Sequence, residues 1–198
     1  IEVRREYSVE REGQFELLSS PLTITKGDLV KVDLFVQVPA ARHFVVVDDP
    51  VPGGLEPVNK QLATASVVDA EKGGVRPAVG SYFHQFDDWV SFGGYFRSFY
   101  HQELRHDSAR FFADYLPAGN YHLSYTAQAI AAGEFSVLPL RAEEMYDPDI
   151  YGKGLPDNLL VKSDFAKSVN MSNGINNAKD NNDRSVGNEK NDTKTKTE

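Results

Sequence analysis

The 198-residue sequence predicts an all-β protein: an antiparallel Greek-key β-sandwich followed by a polar tail. Three observations carry this reading. Short apolar stretches alternate with polar residues at a period of two. Clusters of Gly, Pro, Asn and Asp punctuate them at short intervals. The stretch LPAGNY, Leu116 to Tyr121, has the Leu…Gly…Tyr layout of a tyrosine corner, built here on Leu116, Gly119 and Tyr121. In that motif the Tyr hydroxyl bonds to backbone a few residues upstream and locks a crossing between sheets.

The elements follow in order. Ile1, Val3, Tyr7 and Val9 mark a first strand, and Gly13 turns the chain into the short run QFELLSS. Val30, Val32, Leu34, Val36 and Val38 fall on alternate positions, which predicts a half-buried strand over Leu29–Val38 that Pro39 ends. HFVVVDDP is a continuous apolar run expected to be a fully buried strand. It stops at Asp48 and Asp49, whose place before Pro50 reads as turn chemistry. Pro57–Asp69 suits one short helix, and residues 70–97 read as an irregular aromatic loop. Phe99–Arg105 and Ala109–Tyr115 predict a hairpin, Tyr121–Ile130 a long strand, and Glu134–Leu138 the last strand. The domain is expected to span 1–152. Residues 153–198 are polar and too poor in large apolar side chains to offset their ordering entropy, so that tail is expected to be mostly disordered.

Composition narrows function. A net charge of −8 argues against nucleic acid or an anionic membrane surface as partner. The chain has no cysteine, which removes thiol catalysis, disulfides and Cys-zinc sites, and fits the bacterial periplasm or the cytosol. No signal peptide and no membrane-spanning run is visible. A start inside a strand pattern without Met suggests a piece of something longer.

Candidate chemistry is sparse. His84, Asp87 and Asp88, with His101 and His106 nearby in sequence, are residue types that could hold zinc. They sit in an irregular loop, and His101 and His106 would point to opposite faces of a strand, so a solvated loop and no metal is expected. The pairs Asp48-Asp49 and Glu143-Glu144 lack the cross-cleft separation that glycosidase carboxylates need. No nucleophile elbow or phosphate loop is present. The expectation is therefore no enzyme and no cofactor. The aromatic loop suits covering one open end of the sandwich better than binding sugars or partners. Met145 and Tyr146, in RAEEMYDPDIYG, fit equally a clip holding the chain end and a contact offered to a partner.

The blocks FVVVDDPVPGGLEPVN, HQELRHDSARFFADYLPAGNY and RAEEMYDPDIYG, in that order, closely resemble the C-terminal macroglobulin-like domain of bacterial α2-macroglobulins. The resemblance covers most of residues 1–152, less clearly 70–97, and not the tail. It implies a module of a broad-spectrum endopeptidase inhibitor of the periplasm or cell envelope, whose parent is lipid-anchored. It also implies partners: the thioester domain and other macroglobulin domains of the parent, and target proteases indirectly. By the same resemblance Met145, with Tyr146, Glu143 and Glu144, matches a segment that packs on the thioester domain and shields the reactive bond. With no Cys, this chain supplies no thioester of its own. A carbohydrate- or surface-binding sandwich using the aromatic loop is the competing reading, and a membrane contact is not expected.

Overall fold

The computed structural model describes residues 1–58, 77–91 and 98–163. In chain order the strands are β1 (Glu2–Arg11), β2 (Gln14–Leu17), β3 (Leu22–Thr25), β4 (Leu29–Val38) and β5 (Arg42–Pro50). β6 (Leu55–Pro57), β7 (Trp89–Ser91), β8 (His101–Leu104), β9 (Ser108–Leu116) and β10 (Gly119–Ala129) follow. Last come β11 (Gly133–Val137), β12 (Arg141–Glu144), β13 (Asp147–Lys153) and β14 (Asp157–Lys162), and a 3₁₀ turn at Tyr82–Gln85 lies before β7. The short helix expected at 57–69 lies outside the described residues from 59 onward, as do the tail from 164 and parts of the aromatic loop.

One sheet has the order β2-β1-β4-β10-β6, with β7 also on β10; another runs β13-β12-β5-β9-β8, and a third β11-β14-β3. Pairings are antiparallel except β7 on β10 and β14 on β3. Alternation sends Val30, Val32, Leu34 and Val36 of β4 into one core with Val45 and Val47 of β5, Phe111 of β9 and Leu123 of β10. The three-stranded sheet adds Leu22, Ile24, Val137, Leu159 and Val161 to that core.

β4 is not half-buried, as its alternation suggested, but covered on both faces. Lys31, Asp33 and Phe35 on its outer side are also buried. There the His122 ring stacks on Phe35 and its Nε2 lies 2.7 Å from Asp33 Oδ1, which Lys31 also pairs at 3.0 Å. Tyr82 and Trp89 close over Phe35 with ring centroids 5.4 and 5.1 Å away. Ser81 Oγ donates to Glu6 at 2.7 Å and pins this stretch to β1. The described part of the aromatic loop thus covers a sheet face, not an open end of the sandwich. The reason is polar: Glu6 and Asp33 on that face need partners once water is excluded.

Two further expectations change. Asp48 and Asp49 belong to β5 and not to a turn. Asp48 pairs with Arg110 across the ladder at 3.1 Å, while Asp49 is fully buried. Glu134–Leu138 is not the last strand either. β12, β13 and β14 follow it, and β14 lies between β11 and β3, so the fold continues past Gly152 to Lys162.

Asp49 explains the polar residue at the centre of the sandwich. Ile1, Val3, Arg5, Tyr7 and Val9 share one parity of β1, and Val45, Val47 and Asp49 one parity of β5. Arg5 forms an ion pair with Asp49, their side chains being 5% and 0% exposed. Arg5 Nη2 also donates to the Leu138 carbonyl at 2.8 Å, and the Tyr125 hydroxyl donates to Asp49 Oδ2 at 2.7 Å. The ion pair and the Tyr125 hydrogen bond together tie β1 and β10 of the first sheet to β5 of the second. Burial pushes the Asp49 carboxyl above the usual carboxylate range, and Arg5 and the Tyr125 hydroxyl oppose that rise.

Removing one partner leaves the other charge buried alone. Asp49→Leu is expected to cost about 3–5 kcal/mol in urea unfolding, and Arg5→Met combined with Asp49→Leu to recover most of that loss. A double variant as unstable as the single would show that the pair is not what the site depends on.

Burial also raises the Tyr7 and Tyr125 phenols well above their usual value, and the Asp49 charge adds to both rises. Unfolded tyrosine ionises near pH ~10, whereas these two hold their protons in the fold. Their contribution to stability is therefore complete below that pH and is lost as pH rises beyond it. Spectrophotometric titration of the nine tyrosines should show at least two that ionise only together with unfolding.

Candidate functional site

RAEEMYDPDIYG folds as a β-hairpin. β12 and β13 pair antiparallel, from Arg141 opposite Lys153 to Glu144 opposite Asp147, leaving Met145 and Tyr146 as a two-residue turn. The register jumps between Glu143 and Glu144, so that Pro148, Asp149 and Ile150 bulge out of the ladder. Pro148 has no N–H to give, which suits that position. The hairpin is anchored where its residues are small: Ala142 is fully buried, and it faces Gly152. A Cβ at Gly152 would stand 2.2 Å from the Ile1 carbonyl oxygen, so that position requires glycine.

β12 joins the second sheet through β5, with Glu144 opposite Val45. Beyond that pair the Met145 N–H donates to the Phe44 carbonyl at 2.9 Å. Phe44 has φ of 51°, in the left-handed region that a bulky residue rarely occupies. Its ring meets Tyr146 edge-on at 5.1 Å. Glu144 Oε1 accepts from the His43 backbone N–H at 3.3 Å, and Glu143 pairs with Arg141 at 2.5 Å. The two acids thus brace the hairpin and its neighbour.

What the bracing presents is apolar and open to water. Phe44 and Met145 are each 43% exposed, Tyr115 is 52% and Tyr146 80%. Tyr115 lies opposite His43 on β9, ring to ring at 5.0 Å. Exposed side chains of β5, β9 and the β12–β13 turn therefore lie at one end of the sheet, and Asp147, next along the chain, is exposed as well. Several exposed apolar side chains gathered at one place mark a contact site more often than a lone exposed residue does.

Leu116, Gly119 and Tyr121 sit next to it in sequence. The Tyr121 hydroxyl donates to the Pro117 carbonyl at 2.7 Å, and its ring packs edge-on against Phe99 at 5.8 Å. Leu116 is fully buried beside exposed Tyr115, so the bend from β9 to β10 fixes which face Tyr115 takes. Burial raises the Tyr121 phenol above its usual value.

The residues weighed as metal ligands do not converge. Asp88 accepts from Asn120 Nδ2 at 2.8 Å, His101 packs on Phe112, and no group of three or more His, Asp or Glu among the described residues could hold an ion. Sequence reasoning reached Met145 and Tyr146 but missed Phe44, His43 and Tyr115. A partial signal for them was available: HF precedes VVV in one strand and Tyr115 precedes LPAG in another, but only the β5–β9 register brings them together.

Comparison with known proteins falls on the same span. A family model described as "Bacterial Alpha-2-macroglobulin MG10 domain" matches residues 1–149. An alpha-2-macroglobulin homolog of Nostoc sp. is 27% identical over 145 residues, which is 73% of this chain and 6% of that protein. Trypsin-activated alpha-2-macroglobulin from Escherichia coli superposes with a TM-score of 0.59 and 27% identity, over 81% of this chain and 10% of that one. Salmonella alpha-2-macroglobulin reacted with methylamine gives 0.55 and 26%, over 81% and 9%. The chain thus spans a small part of each relative.

If the turn is a presented contact, Met145→Ala should change stability by less than about 0.5 kcal/mol, as exposed substitutions do. Tyr121→Phe should cost about 0.5–1.5 kcal/mol through its lost hydrogen bond. Thermal unfolding of the two variants separates these roles, and a Met145→Ala loss as large as that of Tyr121→Phe would favour a clip.

Proposed function

The chain belongs to the bacterial alpha-2-macroglobulin family, matching its MG10 domain over residues 1–149, and on that premise we propose that it is the C-terminal domain of a broad-spectrum endopeptidase inhibitor. In this reading it is a non-enzymatic module that packs on the thioester domain of its parent, in the periplasm or cell envelope. Other macroglobulin domains of the same parent are its further partners, and proteases are met only indirectly.

The observation that carries the reading is the exposed Phe44, Met145 and Tyr146 patch held on a braced turn. A thioester is lost to water unless water is kept away. An apolar side chain laid over it removes the competing nucleophile, and a conformational change that withdraws the lid restores reactivity. Met145 suits the covering role because its unbranched thioether adapts to an irregular surface. Phe44 and Tyr146 hold the turn that carries it, while Glu143 and Glu144 set the hairpin's angle through Arg141 and the His43 backbone. A fixed lid covers without losing the conformational entropy of ordering a loose loop.

The test uses the full-length parent. Met145→Ala is expected to make the resting thioester react with methylamine about tenfold faster, equivalent to roughly 1.4 kcal/mol of lost protection. A rate equal to that of the unsubstituted parent, at unchanged melting temperature, would remove the lid role.

A further inference from the structure

We propose that the open edge of β1 is a docking site for an extended peptide segment of a partner polypeptide, which adds to the sheet as a short strand beside Val3 and Arg5. This site is on a different part of the molecule from the Met145 turn and does not depend on the role assigned to that turn.

β4 pairs with β1 from Glu2 to Val9, but β2 covers the other edge only from Ser8 to Arg11. The Tyr7 carbonyl accepts from the Leu18 N–H at 2.8 Å, which places the Tyr7 backbone groups on the β2 side. Peptide groups alternate along a strand, so the N–H and C=O of Val3 and Arg5 point the same way. Among the described residues no strand pairs with them there. At the far end β13 closes the gap, with Gly152 against the Ile1 carbonyl. What remains is a bounded stretch of strand edge about two peptide pairs long.

This edge opens on a groove of about 670 Å³ between β1 and the 153–157 segment. Leu18, Leu22, Leu140 and Leu155 supply apolar walls, and Leu155 is 86% exposed. Tyr7 also lines the groove with its backbone, while its side chain is buried in the core and its hydroxyl has no hydrogen-bond partner among the described residues. Lys153 stands at the rim with no ion pair among the described residues.

These demands select the occupant. Donors and acceptors alternating along a strand edge are matched by another extended backbone and by little else. A peptide lying along β1 would also send alternate side chains into the groove, where an apolar one meets the leucines. An acidic residue near its end complements Lys153. Edges left open in this way are prone to pairing with another chain.

The probe is a capped seven-residue peptide alternating valine and threonine with one terminal glutamate, added to the whole chain at up to millimolar concentration. Amide hydrogen exchange should slow at least tenfold at Val3 and Arg5 and stay unchanged at the Met145 turn. The same peptide N-methylated at alternate residues should give no protection. Val3→Pro, which removes one outward N–H and no bond to β4, should weaken binding of the unmodified peptide at least tenfold, and Lys153→Glu should weaken it severalfold. No protection at millimolar peptide, or protection that survives N-methylation, would overturn the proposal. Should Val3→Pro fail to fold, the two peptides on the unsubstituted chain decide the question alone.

Discussion

The sandwich depends on one ion pair placed where an apolar contact would be expected. Arg5 and Asp49 occupy core-facing positions of two different sheets, and the Tyr125 hydroxyl joins them from a third strand. A lone charge in that position would be very costly, so each of these residues requires the others. The consequence is specificity of arrangement. β1, β5 and β10 meet in one register, because a one-residue slip of any of them would turn its polar group out and leave the others unpaired. The position of β5 is in turn what sets Phe44 and His43 beside β12, and so what sets the Met145 turn.

Much of the fold is legible in the sequence, and the exceptions are instructive. The β4 alternation and the LPAGNY block each carry their own physical signal, and both lie where their patterns put them, in a long strand and at a bend between strands. The three late strands carry no such signal. RAEE and DPDIYGK hold few large apolar residues, DNLLVK lies in a stretch whose composition is otherwise polar, and they are strands because β5, β3 and β11 offer edges to them. The buried face of β12 is carried by Ala142 opposite Gly152, a pair too small to register as hydrophobic periodicity. Asp49 was open to misreading because it precedes a proline, although its parity with Val45 and Val47 marked it as inward, as Arg5's parity with Val3 and Tyr7 did. Charges on the apolar parity of two strands are a signal to look for a buried partner.

The candidate surface was half visible. Met145 and Tyr146 stand out in sequence and by resemblance, but the left-handed Phe44 that receives the Met145 N–H does not. Backbone strain at a non-glycine residue has no sequence signature and persists only where the surroundings impose it. Here the surroundings are the β5–β12 ladder on one side and the Tyr146 ring on the other. The aromatic stretch at 82–89, which composition made conspicuous, covers the polar outer face of β4. The less conspicuous turn leaves Met145 and Tyr146 exposed.

The central claim is that this turn lies against the thioester domain in the resting parent and leaves it on activation. A photoreactive amino acid placed at position 145 of the full-length parent tests it most directly. The account predicts a crosslink to the segment around the thioester before protease cleavage, and its loss afterwards. A crosslink that forms equally in both states, or one that falls only on other domains, would contradict it.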